Sequence, residues 1–189
     1  MYPSLFEYQF QEYSKYYKYN KKIEMISDKE RIVHEMPGSV GGISYVVNLK
    51  KINDDLLILG GDNLFDFDID EFISFYYLMN KKTSIAVYDL GNKDEVANRF
   101  GCVSVDEKNK VVKFDEKPSN PESSLISTLC YILSKNDLHY LNDKNNLKEN
   151  TGDLIKHLVN SGDVYAYEIK GKFFDIGTYP DLERARIEF

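Results

Sequence analysis

Apolar residues recur along the chain at two periods, and the alternation between them predicts helices interleaved with strands. Phe6, Phe10, Tyr13 and Tyr17 form a helical seam over residues 3–19, with Pro3 suited to the first turn, and the stripe reads as a packing face. Residues 22–26, with Ile23, Met25 and Ile26, read as a short strand, and the polar stretch 27–37 reads as a loop. Gly38-Ser39-Val40-Gly41-Gly42-Ile43 opens a helix that ends near Asn48. Small residues and free N–H groups at such a start admit close approach of a flat or anionic ligand, although on its own a plain glycine-rich turn is the better reading. Leu56 to Leu59 is an unbroken apolar run after a polar segment, which predicts a strand buried on both faces, as in a parallel sheet covered by helices.

Further along, residues 69–80 read as a helix capped by Asp68 or Asp70, with Phe72, Phe75 and Tyr76 on one side. Residues 83–88 alternate as a strand, and 92–100 are helical in part. Residues 101–106 and 111–116 form a hairpin across Glu107-Lys108-Asn109-Lys110. A second buried-looking strand covers 125–134, a helix starts at 136–141, and 142–151 is a polar connection. A helix over 153–160, a strand over 164–169 and a closing helix over 179–189 complete an α/β domain.

The length of 189 residues suits one substantial core, so one domain is expected. No apolar run approaches membrane-spanning length, and the N-terminus lacks the pattern of a signal peptide. Cys102 and Cys130 form neither a disulfide framework nor a metal-ligand spacing, which points to a reducing, cytoplasmic setting. A formal net charge of −7 argues against nucleic acid as a surface partner but not against a nucleotide substrate met by a few local cations and a metal.

Chemistry concentrates where the 56–59 strand ends. Gly60 and Gly61 remove side-chain bulk there and Asp62 follows at once. Ligands of open α/β sheets bind beyond the carboxyl ends of strands, where a carboxylate beside bare backbone can hold a divalent cation. From these residues alone, Gly-Asp-Asn reads better as an ordinary turn.

Four segments in order change that balance: Gly61-Asp62-Asn63, Phe100-Gly101-Cys102-Val103, Glu116-Lys117-Pro118 and Phe174-Asp175-Ile176-Gly177-Thr178. Together they resemble the sugar-1-phosphate nucleotidyltransferase family, in particular its glucose-1-phosphate thymidylyltransferase-like branch. The resemblance implies a Rossmann-like (GT-A-like) mixed, mainly parallel sheet with helices on both faces. It implies transfer of a nucleotidyl group from an NTP, dTTP or UTP first, to a hexose 1-phosphate with release of pyrophosphate. Asp62 and Asp175 match the carboxylates that hold the catalytic Mg²⁺, and Lys117 matches the lysine on the sugar phosphate. Glu116 matches the acid that binds sugar hydroxyls, and Gly101 the glycine whose backbone lies against the sugar. Gly38 falls where the family approaches the base, and Ser127 and Thr128 fall where it lines the sugar pocket. Taken singly, Asp175 would read as a strand-end cap and Lys117 as a surface lysine.

The chain also departs from the family. It has nothing like the Gly-rich loop G-x-G-T-R-L-x-P or the Pro-Lys-Pro segment, and residues 1–37 look like a later part of the family's own sequence. The expectation is an N-terminally truncated, partial catalytic domain over 1–189. Without the family's first strand, Leu56 to Leu59 would present an unpaired apolar edge, suited to a partner chain or a second copy that completes the sheet. Leu129-Cys130 stands where the family usually has glycine and an apolar residue, so a leucine is expected to intrude on the sugar pocket. The alternative function is a non-catalytic regulatory or binding subunit related to the same enzymes.

Overall fold

The computed structural model describes residues 7–16, 23–27, 38–142 and 150–189. Five helices are described: α1 (Glu7–Tyr16), α2 (Gly38–Lys50), α3 (Ile69–Leu78), α4 (Thr151–Ser161) and α5 (Tyr179–Glu188). The strands are β1 (Leu56–Leu59), β2 (Asn63–Phe65), β3 (Ser84–Asp89), β4 (Gly101–Val105), β5 (Val111–Glu116), β6 (Leu125–Leu133), β7 (Tyr165–Glu168) and β8 (Phe173–Asp175). Short 3-10 turns occupy Lys93–Glu95 and Lys135–Asn142.

Six strands form one sheet in the order β5-β4-β6-β3-β7, with β1 also paired to β6; β2 and β8 form a separate two-stranded ribbon. The sheet is mixed and helices cover both faces, as expected, but the expected parallel majority holds only for strand direction. β1, β3, β4 and β7 run one way, yet β3 with β7 is the one parallel pairing among the described strands. The reason is β6. This longest strand runs opposite to three of its neighbours through the centre of the sheet, so each of those contacts is antiparallel.

Alternation along the strands builds two cores. Ile85 and Val87 of β3 and Tyr131 and Leu133 of β6 face α2 and α4, while Ala86, Cys130 and Ile132 face α3. Leu154, Ile155 and Leu158 are buried, each worth about 1.5–3 kcal/mol, and they hold α4 in the first core, whose sheet side includes Val111 and Phe114 of β5. Asp68, rather than Asp70, caps α3 by accepting from the Asp70 N–H at 2.8 Å.

Three expectations are corrected. β1 is not buried on both faces: Leu56 and Ile58 pack on the first core, but Leu57 and Leu59 are 41% and 43% exposed. Among the described residues β1 also has one sheet neighbour, so its outer edge is unpaired, and the described elements leave the face of Leu57 and Leu59 largely uncovered. The aromatic seam of α1 is not the buried packing face expected, since Phe10 and Tyr13 remain 41% and 54% exposed. Phe6 and Tyr17 lie outside the described residues. Residues 23–26 form no strand, and the loop reading of 28–37 falls outside the described residues.

Candidate active site

The sheet splits at one place. β4 and β1 leave the same edge of β6, β4 pairing at Cys102↔Ile126 and β1 from Leu59↔Cys130 to Leu56↔Leu133. Residues 127–129 are left between them, so the carboxyl end of β1 and the amino end of β4 face each other across a crevice. A cavity of about 200 Å³ fills it. This is the position at which open sheets bind ligands.

Each predicted segment reaches the crevice by a definite route. The β4–β5 hairpin turns on Asp106, whose carboxylate accepts the N–H groups of Lys108 and Lys110 at 2.9 Å each, with Asn109 at φ +61°. The hairpin register sets Gly101 opposite Glu116. Side chains there leave no room for a larger residue: a β-carbon on Gly101 would lie 2.7 Å from Phe114 Cζ and 3.2 Å from Glu116 Oε2. Lys117 follows at φ +47°, a left-handed backbone that a lysine before a proline resists, and its N–H donates to the Phe100 carbonyl at 3.2 Å.

Asp62 and Asp175 meet through the ribbon. β2 pairs with β8 so that Asn63 stands opposite Asp175, and the Ile176 N–H donates to the Asp62 carbonyl at 2.8 Å. Burial raises the Asp175 carboxyl above the usual carboxylate range. The Asp62 charge adds to the rise, and the Gly177 N–H and the Arg99 guanidinium oppose it. Mutual repulsion of two carboxylates in one cleft is what a divalent cation relieves. Among the described residues no third His, Cys, Asp or Glu completes a metal cluster with them. Two carboxylates are the protein share that Mg²⁺ takes when water and phosphate supply the remaining oxygens.

Of the eight residues singled out in the sequence, seven line this cavity: Asp62, Gly101, Glu116, Lys117, Ser127, Thr128 and Asp175. Gly38 does not. It opens α2 at φ +80° and lines neither this cavity nor the apolar groove beside β1; in that groove Ser39, Gly42 and Ile43 take its place. The turn of helix that follows Gly38, not Gly38 itself, faces the open space. Ser127 and Thr128 cannot act alike, because successive strand residues point to opposite faces. Ser127 Oγ shares a 3.0 Å hydrogen bond with the Tyr131 hydroxyl, whereas Thr128 Oγ1 donates to the Ala86 carbonyl at 2.8 Å and serves the sheet. Leu129 lines the cavity, as expected of a residue intruding on it.

Sequence reasoning missed Arg99, Tyr131 and the start of α4. Asn150 caps that helix by accepting the Asp153 N–H at 2.9 Å, which brings Thr151 and Gly152 to the cavity wall. An Asn three residues before an Asp at a helix start was a legible signal, yet the helix was placed at 153–160. Gly152 presses on Glu116: a β-carbon there would lie 2.0 Å from Glu116 Oε2 and 2.6 Å from Cδ. Burial raises the Glu116 carboxyl, Lys117 opposes the rise and Asp153 adds to it. Tyr131 was findable by period two from Ser127 through Leu129. Its hydroxyl is pushed up to about 12 by burial, and hydrogen bonds with Ser127 and Thr151 pull the other way.

Comparison with known proteins gives the same picture from outside. The family model described as Nucleotidyl transferase matches residues 5–188. A Bacillus anthracis protein described as a glucose-1-phosphate thymidylyltransferase, solved in complex with sucrose, superposes with a TM-score of 0.65 at 22% identity. That match covers 81% of this chain and 61% of the other. Apo UDP-glucose pyrophosphorylase gives 0.70 at 18% identity over 86% of this chain and 61% of that one. UDP-glucose pyrophosphorylase with UDP-glucose gives 0.69 at 19%, covering 86% and 63%. The chain therefore spans about three fifths of the length of these structures.

Proposed function

The chain belongs to the nucleotidyl transferase family, and from that premise we propose that its crevice binds a hexose 1-phosphate and transfers to it a nucleotidyl group from an NTP, dTTP or UTP first. The observation that carries this reading is the convergence of Asp62, Asp175, Lys117 and Glu116 on one cavity from three separate segments. An oxygen of the sugar phosphate attacks the α-phosphorus of the NTP. The new P–O bond forms as the bond from the α-phosphorus to the pyrophosphate oxygen breaks, and pyrophosphate leaves with that electron pair. The nucleophile is already ionised at neutral pH, so the site needs positioning and charge neutralisation rather than a general base.

The residues divide those tasks. Lys117 forms no ion pair among the described residues, so its ammonium is available to the sugar phosphate. Glu116 accepts from sugar hydroxyls, and the Gly101 backbone gives the ring a flat wall. Asp62 and Asp175 would hold Mg²⁺, which when bound neutralises phosphate charge and relieves the repulsion between the two carboxylates. Gly152→Ala is expected to raise KM for the sugar phosphate about tenfold with kcat changed less, because the new methyl group occupies the place of the Glu116 carboxyl. Glu116 can swing aside, so the thermal midpoint should stay within a few degrees. An unchanged KM would show that Glu116 does not touch the sugar.

A pyrophosphate-release assay with glucose 1-phosphate, each NTP and Mg²⁺ tests the reading, run on the chain alone and with a peptide carrying the family's Gly-rich loop. Release under either condition supports transfer. Sugar-phosphate binding without release favours the second reading, a non-catalytic binding or regulatory subunit. One observation supports that alternative: Arg99 and Lys117 are the only cations lining the cavity among the described residues, few for a triphosphate and a sugar phosphate together. The outer edge of β1, unpaired among the described residues, further supports a strand supplied by another polypeptide. A chain that stays monomeric and cooperatively folded on its own in light scattering and thermal melts would remove the need for one.

A further inference from the structure

Leu129 stands between two cavities. The candidate active site, about 200 Å³, and the groove beside β1, about 400 Å³, share two lining residues among those described, Leu129 and Thr151. Alternation along β6 sets Leu129 on the same side as Ser127 and Tyr131. Its backbone is pinned, because the Gly60 N–H donates to the Leu129 carbonyl at 2.7 Å. Its side chain rests directly on Gly60: a β-carbon built there would lie 2.9 Å from Leu129 Cδ2 and 3.0 Å from Leu129 Cβ. The leucine therefore has no slack toward β1. Beyond it the groove is apolar, walled by Ile43, Val46, Val47 and Ile52.

We propose that Leu129 is a specificity-determining residue that closes the sugar site against this groove, so that the site takes a hexose 1-phosphate without a bulky ring substituent and rejects acetamido-bearing sugars. The proposal rests on the crevice being a sugar-phosphate site. Close-packed walls discriminate by steric overlap, and one methylene more or less in a pocket changes selectivity by roughly 10- to 200-fold. Shortening Leu129 joins the two spaces and gives an added substituent apolar surface to lie on.

The test is calorimetric binding with Mg²⁺ present, using glucose 1-phosphate and four mutually isomeric derivatives of it in which an acetamido group replaces the hydroxyl at position 2, 3, 4 or 6. Wild type is expected to prefer the unsubstituted sugar over all four. In Leu129→Ala at least one isomer should gain tenfold or more relative to glucose 1-phosphate, and Leu129→Val, the milder change, should move the same isomer in the same direction. Gly60→Ala, whose new methyl group would meet Leu129 Cδ2 and Asn63 Nδ2 at 2.9 Å each, should weaken glucose 1-phosphate binding by driving the leucine inward, and Gly60→Ala with Leu129→Ala should recover the part that the leucine causes. An unchanged ranking in both Leu129 variants, or wild-type affinity in Gly60→Ala, overturns the proposal while the sugar-phosphate reading stands. A wild-type chain that binds none of the five sugars overturns both.

Discussion

Asp175→Asn is expected to lower nucleotidyl transfer about a thousandfold, roughly 4 kcal/mol of transition-state stabilisation, while the fold stays as stable as before or gains. The two halves of this result come from one cause. Asp175 is held above its ordinary carboxylate range by burial and by the Asp62 charge beside it. A carboxyl whose folded-state pKa exceeds its unfolded value stabilises the fold below the unfolded pKa, and that contribution is lost as pH rises through the folded value. At neutral pH without a cation the charge works against folding. Asparagine keeps the shape and removes the charge. Thermal melts of both proteins in chelator, from pH 4 to pH 8, should show the variant's advantage opening as pH rises through the raised value and then levelling. A variant that melts well below wild type throughout would mean that Asp175 is a structural cap, and retained activity would mean that it holds no metal.

Lys117→Gly should cost about 10²- to 10³-fold in activity with stability within about 1 kcal/mol of wild type, or above it. Lys117 sits at φ +47° before Pro118, a conformation that costs a non-glycine residue about 1–2 kcal/mol. Glycine relieves that strain and loses some of the gain to the greater freedom of its unfolded chain. The strained lysine fits the role proposed for it, since strain of this kind is often stored at functional sites. Lys117→Ala provides the control: it keeps the strain and loses the charge, so it should match glycine in activity and fall below it in stability. Equal activity of all three proteins would remove Lys117 from the reaction.

The fold was legible in outline because the periods of burial were strong. The β4–β5 hairpin, the Asp68 cap, β3 and α5 all follow from alternation and turn chemistry. What failed was tertiary. A run of four apolar residues identifies a strand but not what covers its faces, so β1 read as buried on both while Leu57 and Leu59 stay exposed; its open edge beside β6 was expected only from the family's first strand. Asn63–Phe65 is too short to announce itself, and its ribbon with β8 exists only because residues more than a hundred positions apart pair. The site was legible as motifs, whose order placed seven of eight residues in one cavity. Arg99 and Gly152 were not, since neither has a local pattern; each matters through what folding puts beside it, Asp175 for one and Glu116 for the other.

On the proposed reading, Asp62, Asp175 and Lys117 form one wall of a site for a nucleotide-linked hexose. Calorimetric titration with UDP-glucose and with dTDP-glucose, each carrying both halves of the product, tests it without requiring turnover. The account predicts one binding site for at least one of them, dependent on Mg²⁺ and lost in Asp62→Asn and Asp175→Asn while both variants remain folded. Absence of binding to either compound, or binding that both variants and a chelator leave unchanged, would contradict it.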